Sequence, residues 1–116
     1  MAKKWIIKQR NDVSKTLTFK NEDGTAVDLT GATIFFTVKS TLDGDNSDLS
    51  AAIKKNITVH TDPVNGLSTL TLSETDTDIA AGTYKYDFKL KTASGSETNY
   101  NTQELVVQPV VTRRSA

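Results

Sequence analysis

Large apolar and polar residues alternate along the segment 82–91, which reads GTYKYDFKLK and begins with a glycine. Successive side chains of a β-strand point to opposite faces of its sheet. Tyr84, Tyr86, Phe88 and Leu90 therefore share one face, and the lysines and the aspartate between them share the other. The pattern predicts a strand with one buried face and one solvated face.

The same alternation predicts further short strands, and turn residues separate them. The sequence DPVNG at 62–66 is typical of a tight turn, so we expect the strands on either side of it to pair as a hairpin. Ser73 and Asp76 fit a capping box that would begin one helical turn. The predicted strands cover residues 5–9, a stretch through Leu17 and Phe19, 32–39, 51–59 with a bulge or a break at 54–56, 67–72, 82–91 and 98–107.

About seven short strands without a clear helix favour an all-β fold. We expect a β-sandwich of two antiparallel sheets, with a small closed barrel as the alternative. The 116 residues contain no internal repeat, which indicates a single domain over 1–116 with a loose tail from about residue 109.

Composition narrows the possible functions. The 14 basic and 14 acidic residues cancel, so no net charge favours binding to nucleic acid or to an anionic membrane. The absence of cysteine excludes disulfides and thiolate chemistry. The N-terminal sequence MAKKWIIK has only three apolar residues between charges, too few for a signal peptide or a spanning helix. We therefore expect synthesis in the cytoplasm without export.

Two groups of acidic residues resemble a calcium site and a catalytic site, but each lacks residues that such a site requires. The segment 43–48 has oxygen-bearing side chains at alternate positions, as a calcium loop does, but Asp48 and Lys54 stand where an EF-hand has glycine and glutamate. We interpret it as a solvated loop. Asp76 and Asp78 could form a catalytic carboxylate pair, although no other group converges on them, and Asp76 is better explained as a turn cap.

Other residues give no catalytic or metal site. His60 is the single histidine and lies beside a turn, where we expect it to be exposed. The sequence has no Gly-x-Ser-x-Gly elbow and no glycine-rich phosphate loop. We therefore predict neither enzymatic activity nor a cofactor or metal.

Three residues near the chain ends are candidates for protein contacts. Trp5 could anchor a partner, or it could cover one end of the sandwich. Arg113 and Arg114 could pair with acidic patches on a neighbouring subunit, or they could be solvated.

The step Gly82-Thr83-Tyr84 is similar to the tyrosine corner of immunoglobulin-like sandwiches. This resemblance implies an immunoglobulin-like β-sandwich in which the Tyr84 hydroxyl bonds back to the preceding loop. Tyr86 stands where antibody domains have their second cysteine, so the chain is not an antibody-type domain.

A longer succession of motifs, from about Ile7 to Arg113, resembles the N-terminal domain of phage baseplate upper proteins. The resemblance implies a virion component of a tailed phage or prophage that assembles with itself or with other virion proteins. Baseplate upper proteins continue past this domain, whereas this chain ends at Ala116, so we expect the larger device to be absent or separately encoded. The motifs are DLTGATIFF at 28–36, ITV at 57–59, NG at 65–66, LTL at 70–72, ETDT at 74–77, GTYKYD at 82–87 and VVTR at 110–113.

The expected function is therefore structural, in the tail, the baseplate or a fibre attachment. Assembly would use exposed sheet edges and the two chain ends. Two alternatives are a capsid decoration or head-fibre protein and a carbohydrate-binding module for host-surface glycans. A carbohydrate-binding module would need an exposed aromatic platform, for which Trp5 and Tyr100 are the candidates.

Overall fold

The computed structural model describes residues 4–40, 51–100 and 102–111. Within these ranges the chain forms eight β-strands and one short 3-10 turn, Pro63–Asn65, and contains no α-helix. No helix in this part of the chain has the length and apolar character to cross a membrane. The strands are β1 Lys4–Lys8, β2 Val13–Thr18, β3 Thr33–Lys39, β4 Ile53–Ile57, β5 Leu67–Leu72, β6 Gly82–Lys91, β7 Glu97–Asn99 and β8 Gln103–Gln108.

Two sheets of unequal size form the sandwich. The large sheet has the order β1-β8-β6-β3-β4, and β7 pairs with β6 beside β8. The small sheet is the antiparallel pair β2 and β5. The predicted all-β, immunoglobulin-like sandwich is confirmed.

The core lies between the inward faces of these strands. The alternation predicted for 82–91 is confirmed, since Tyr84, Tyr86 and Leu90 are buried and Phe88 is half-buried. The most deeply buried aliphatic and aromatic side chains come from β3, β5, β8 and the segment before β3. They are Phe36, Leu29, Ile34, Leu70, Leu72, Leu105, Val38 and Val107.

Pairing differs from the sequence prediction at both ends of the large sheet. β1 runs parallel to β8, so the sheet is not wholly antiparallel. The predicted hairpin across 62–66 is wrong, because β4 pairs with β3 and β5 pairs with β2. The turn forms as predicted, but the chain crosses from one sheet to the other before reaching it. The strand predicted over 51–59 is shorter, since β4 ends at Ile57, and Val59 beyond it is 84% exposed.

Smaller differences concern the later part of the chain. The last predicted strand is divided into β7 and β8, which follow each other along the same edge of β6. Ser73 and Asp76 form the reciprocal hydrogen bonds of a capping box, at 3.2 and 2.8 Å, yet they close an isolated turn rather than a helix. β8 ends at Gln108, just before the predicted tail, and residues 112–116 lie outside the described residues.

Candidate interaction surfaces

The outer face of the large sheet is concave. A depression of about 550 Å³ lies across β3, β4, β6 and β7. Phe35 is half-buried in its floor, opposite Asn56 of β4 and Lys89 of β6. Its neighbours on β3, Ile34 and Phe36, point into the core, so Phe35 is an apolar exception among the polar side chains that β3, β4 and β6 place on this face. We call this depression the basin.

Positive charge is concentrated on this outer face. Strand register places seven lysines and three carboxylates on it, which gives a formal charge of +4 on a chain whose net charge is zero. Composition alone could not show this separation, because it depends on which strands pair. The lysines are Lys4, Lys8, Lys39, Lys54, Lys85, Lys89 and Lys91, and the carboxylates are Asp87, Glu97 and Glu104.

Cross-strand contacts order the side chains of this face. Lys89 Nζ lies 2.7 Å from Glu97 Oε1, and Lys85 Nζ lies 3.4 Å from Glu104 Oε1. The hydrogen bond from Lys89 and its charge, with a smaller contribution from Lys91, lower the pKa of Glu97. These pairs are substantially exposed, so they contribute little stability and leave the lysines accessible to a partner.

The large sheet ends in β1 on one side and β4 on the other. In the described part of the chain neither strand has a neighbour on its outer side, which leaves main-chain groups available to extend the sheet. Lys54 and Lys55 lie on β4, and charged residues on an edge strand limit indiscriminate pairing. Beside β1, the 55%-exposed Ile6 lies opposite Val106 on the outer face.

Comparison with known proteins assigns the chain to a family. The family model described as the BppU N-terminal domain matches residues 3–110, a range that includes every described strand. The chain belongs to the BppU N-terminal domain family. BppU is a phage baseplate upper protein, so the resemblance drawn from the sequence motifs is confirmed.

A solved structure agrees with the fold of this BppU N-terminal domain. CopC from Methylosinus trichosporium OB3b aligns with a TM-score of 0.51 and 18% identity, over 97% of this chain and 89% of CopC. At that identity the likeness shows the immunoglobulin-like sandwich fold alone. A comparison with curated proteins found no match.

The corner before β6 has the geometry expected of a tyrosine corner. The Tyr84 hydroxyl donates a 2.6 Å hydrogen bond to the carbonyl oxygen of Ala80 in the preceding loop. Gly82 begins the strand with φ of 150°, which favours glycine. The contribution of this corner to the stability of the BppU N-terminal domain stays a prediction.

Trp5 lies on the inner face of β1. Its ring packs edge-on against Phe36 and Tyr86, with centroids 6.1 and 5.7 Å apart, and Lys15 Nζ lies 4.9 Å from the ring centroid. Trp5 therefore covers one end of the core, and its role as an anchor for a partner stays a prediction. Tyr100 packs 5.2 Å from Phe19, so both rings considered for a glycan platform lie against the core.

The carboxylates considered for catalysis have basic partners. Asp78 pairs with Arg10 at 3.0 Å, and Asp76 pairs with Lys55 at 2.8 Å. Partial burial opposes ionisation of Asp76, but hydrogen bonds from Lys55 and Ser73 outweigh it and lower the pKa. Lys55 lies on β4, an edge strand of the large sheet, and Asp76 follows β5 of the small sheet. This pair therefore joins the two sheets. Both carboxylates have a structural explanation.

His60 is not the exposed turn residue predicted from the sequence. It is half-buried, with Nε2 2.8 Å from the carbonyl oxygen of Ala32 and Nδ1 3.0 Å from Oγ of the fully buried Ser68. The neutral tautomer that carries its proton on Nε2 satisfies both contacts. His60 therefore joins β5 to the segment before β3, a role that only the long-range pairing reveals.

Arg113, Arg114 and the acidic segment 43–48 lie outside the described residues. Within 4–40, 51–100 and 102–111, no three His, Cys, Asp or Glu side chains form a group that could hold a metal ion.

Proposed function

We propose that this chain is a structural part of a tailed-phage or prophage virion, located in the tail, the baseplate or a fibre attachment. It acts by assembling with itself and with other virion proteins rather than by catalysis. The observation that carries the proposal is the match of residues 3–110 to the BppU N-terminal domain. The match includes both sheets and the outer face, so it covers the whole described sandwich.

The described surfaces support an assembly role. Both edges of the large sheet are open to strand addition in the described part of the chain, and strand addition supplies main-chain hydrogen bonds to a partner. The outer face carries the apolar Phe35 and Ile6 among its lysines, and apolar or aromatic side chains inside a polar rim are typical of contacts between proteins. Synthesis in the cytoplasm of the bacterial host would precede incorporation into particles.

The experiment compares virions from the parent phage or prophage with virions from a strain in which this gene is deleted. We expect mass spectrometry to detect the chain in purified parental particles at a fixed ratio to the major tail protein. By electron microscopy, the deletion should leave heads intact and change the distal tail. A clean preparation without the chain would contradict the proposal, and a defect confined to heads would instead favour the capsid decoration alternative.

A further inference from the structure

The turn between the two sheets exposes an apolar side chain. Pro63–Asn65 form one 3-10 turn, and Val64 within it is 64% exposed. The Asn65 amide donates to Asp62 Oδ2 at 2.8 Å, and Gly66 ends the turn in the left-handed conformation. The main chain is thus held in one shape that presents Val64 to the outside. We call residues 62–66 the knob.

Two segments that carry carboxylates adjoin the knob. Leu29 N donates to the carbonyl oxygen of Pro63 at 2.8 Å, which places Asp28 next to the turn. Phe19 N donates to the Gly66 carbonyl oxygen at 2.9 Å, so the turn that follows Phe19 also adjoins the knob. The acidic residues of this region are Glu22, Asp23, Asp28 and Asp62, with Lys20 among them.

Hydrogen bonds favour the charged form of two of these carboxylates, Asp23 and Asp28. Hydrogen bonds from the side chain and main chain of Thr25 lower the pKa of Asp23, and those from Thr30 lower the pKa of Asp28. Away from the outer face of the large sheet, the described residues comprise eight carboxylates and four basic side chains, a formal charge of −4. The four carboxylates near the knob and Lys20 give that region a formal charge of −3, opposite in sign to the +4 of the outer face.

We propose that two copies of this chain associate head to tail, with the knob of one copy seated in the basin of the next. The exposed Val64 would contact Phe35 at the basin floor, while the carboxylates around the knob face the lysines of the basin. This arrangement places an apolar contact within a charged rim. The apolar contact is removed from water on association, and the charges of the rim select the complementary surface. Because different surfaces meet, the contact is heterologous and generates a ring or an open chain of copies.

The inference rests on the proposed function and adds the partner and the surfaces of its self-assembly. A basin of about 550 Å³ has room for the Val64 side chain and the neighbouring turn residues. The charges also determine the direction of docking, since basin against basin and knob against knob each bring like charges together.

The test is sedimentation of the purified full chain over a concentration series, at low salt and at about 0.5 M salt, where screening is strong. We expect wild-type self-association that weakens with salt. Lys54→Glu in the basin and Val64→Lys in the knob should each weaken it about tenfold or more, because each places like charges in contact.

Each variant has a matched control on the same fold. Lys8→Glu makes the same charge change on the outer face, on the opposite edge strand and outside the basin. Val59→Lys makes the same change at an exposed valine outside the knob. Both controls should associate like wild type. All four positions are exposed, so their thermal unfolding should also stay close to wild type.

An equimolar mixture of Lys54→Glu and Val64→Lys distinguishes the proposed pairing from a general effect of charge. The substituted knob then meets the substituted basin, and the two unchanged surfaces also meet, so association should return toward the wild-type level. A strictly monomeric wild type, a basin variant equal to its control, or loss without recovery in the mixture would each overturn the inference. A monomer that is nevertheless found in virions would overturn the head-to-tail contact and leave the proposed function standing.

Discussion

At the scale of single residues, the Tyr84 hydroxyl is the contact that most directly links a sequence motif to the fold. Its 2.6 Å bond to Ala80 fixes the loop that leads into β6. Tyr84→Phe removes this bond and leaves the ring in place. We expect the free energy of unfolding in urea to fall by about 1 kcal/mol, the usual net contribution of a hydrogen bond.

Tyr86→Phe is the matched control for this change. The Tyr86 hydroxyl makes a longer bond of 3.3 Å, to the side chain of Gln103 rather than to a main-chain group. Its loss should therefore cost less than the loss of the Tyr84 hydroxyl. Equal stability of Tyr84→Phe and wild type would show that the corner does not stabilise the sandwich.

Gly66 is the glycine that the fold constrains most. Its φ is +73°, and a Cβ atom there would collide with the main-chain oxygens of Phe19 and Val27. We expect Gly66→Ala to lower the free energy of unfolding by at least about 3 kcal/mol, because backbone strain and a clash with immobile atoms add together. Thermal or urea unfolding measures this loss.

Gly24→Ala separates strain from collision. Gly24 also has a positive φ, +89°, but a Cβ atom there would meet nothing within 4 Å. Its substitution should cost only about 1 kcal/mol, the strain of the left-handed conformation. Equal stability of the two alanine variants would contradict the close approach of the Phe19 and Val27 main chain to Gly66.

At the scale of elements, the Lys55–Asp76 pair connects edge strand β4 to the turn after β5. The pKa of folded Asp76 lies below the ordinary 3.8, so the folded state binds this proton less readily than the unfolded state. The stability that this carboxylate contributes is present above pH 3.8 and is lost as the pH falls through the lower folded value.

Asp76→Asn isolates this contribution. At pH 6 to 7 the variant should be less stable than wild type by about 1 kcal/mol, and the difference should shrink as the pH is lowered to about 2. Urea unfolding of both proteins across this range measures the change. Asp78→Asn is the control, since it removes a neighbouring carboxylate that pairs with Arg10 after β1 and not with the edge strand β4. A difference that does not depend on pH would show that the charge of Asp76 is not involved.

The sequence predicted the faces of strands better than their partners. Alternation predicted the inward side of β6 correctly, because burial depends on the parity of each strand alone. Parity does not identify the neighbouring strand, so the β4–β5 hairpin was wrong and the parallel pairing of β1 with β8 was missed. His60 was misplaced for the same reason, since its contacts come from Ala32 and Ser68, far apart in sequence.

The basin on the outer face was harder to predict from the sequence than the strand pairing. The alternating lysines of 82–91 predicted a solvated face, and that part is confirmed. The basin also requires Phe35 and Lys39 from β3 and Lys54 from β4, which only strand register brings beside β6. The net charge of zero therefore gave no indication that the outer face of the large sheet is positively charged.

At the scale of the whole molecule, this separation of charge should be measurable without any partner. The formal net charge is zero at pH 7, so a protein with evenly mixed charges would bind a sulfonate resin weakly. The +4 outer face should instead hold dilute protein on the resin at low salt. We expect Lys54→Glu to elute at a lower salt concentration than Lys20→Glu, although both variants have the same net charge.

The difference follows from where each lysine lies. Lys54 borders the basin and would face the resin, whereas Lys20 lies among the carboxylates near the knob and would face away from it. Working below the concentration at which wild type self-associates keeps this measurement independent of the head-to-tail contact. Equal elution of the two variants would show that net charge alone governs binding, and the oriented charge of the outer face would then be too weak to guide assembly.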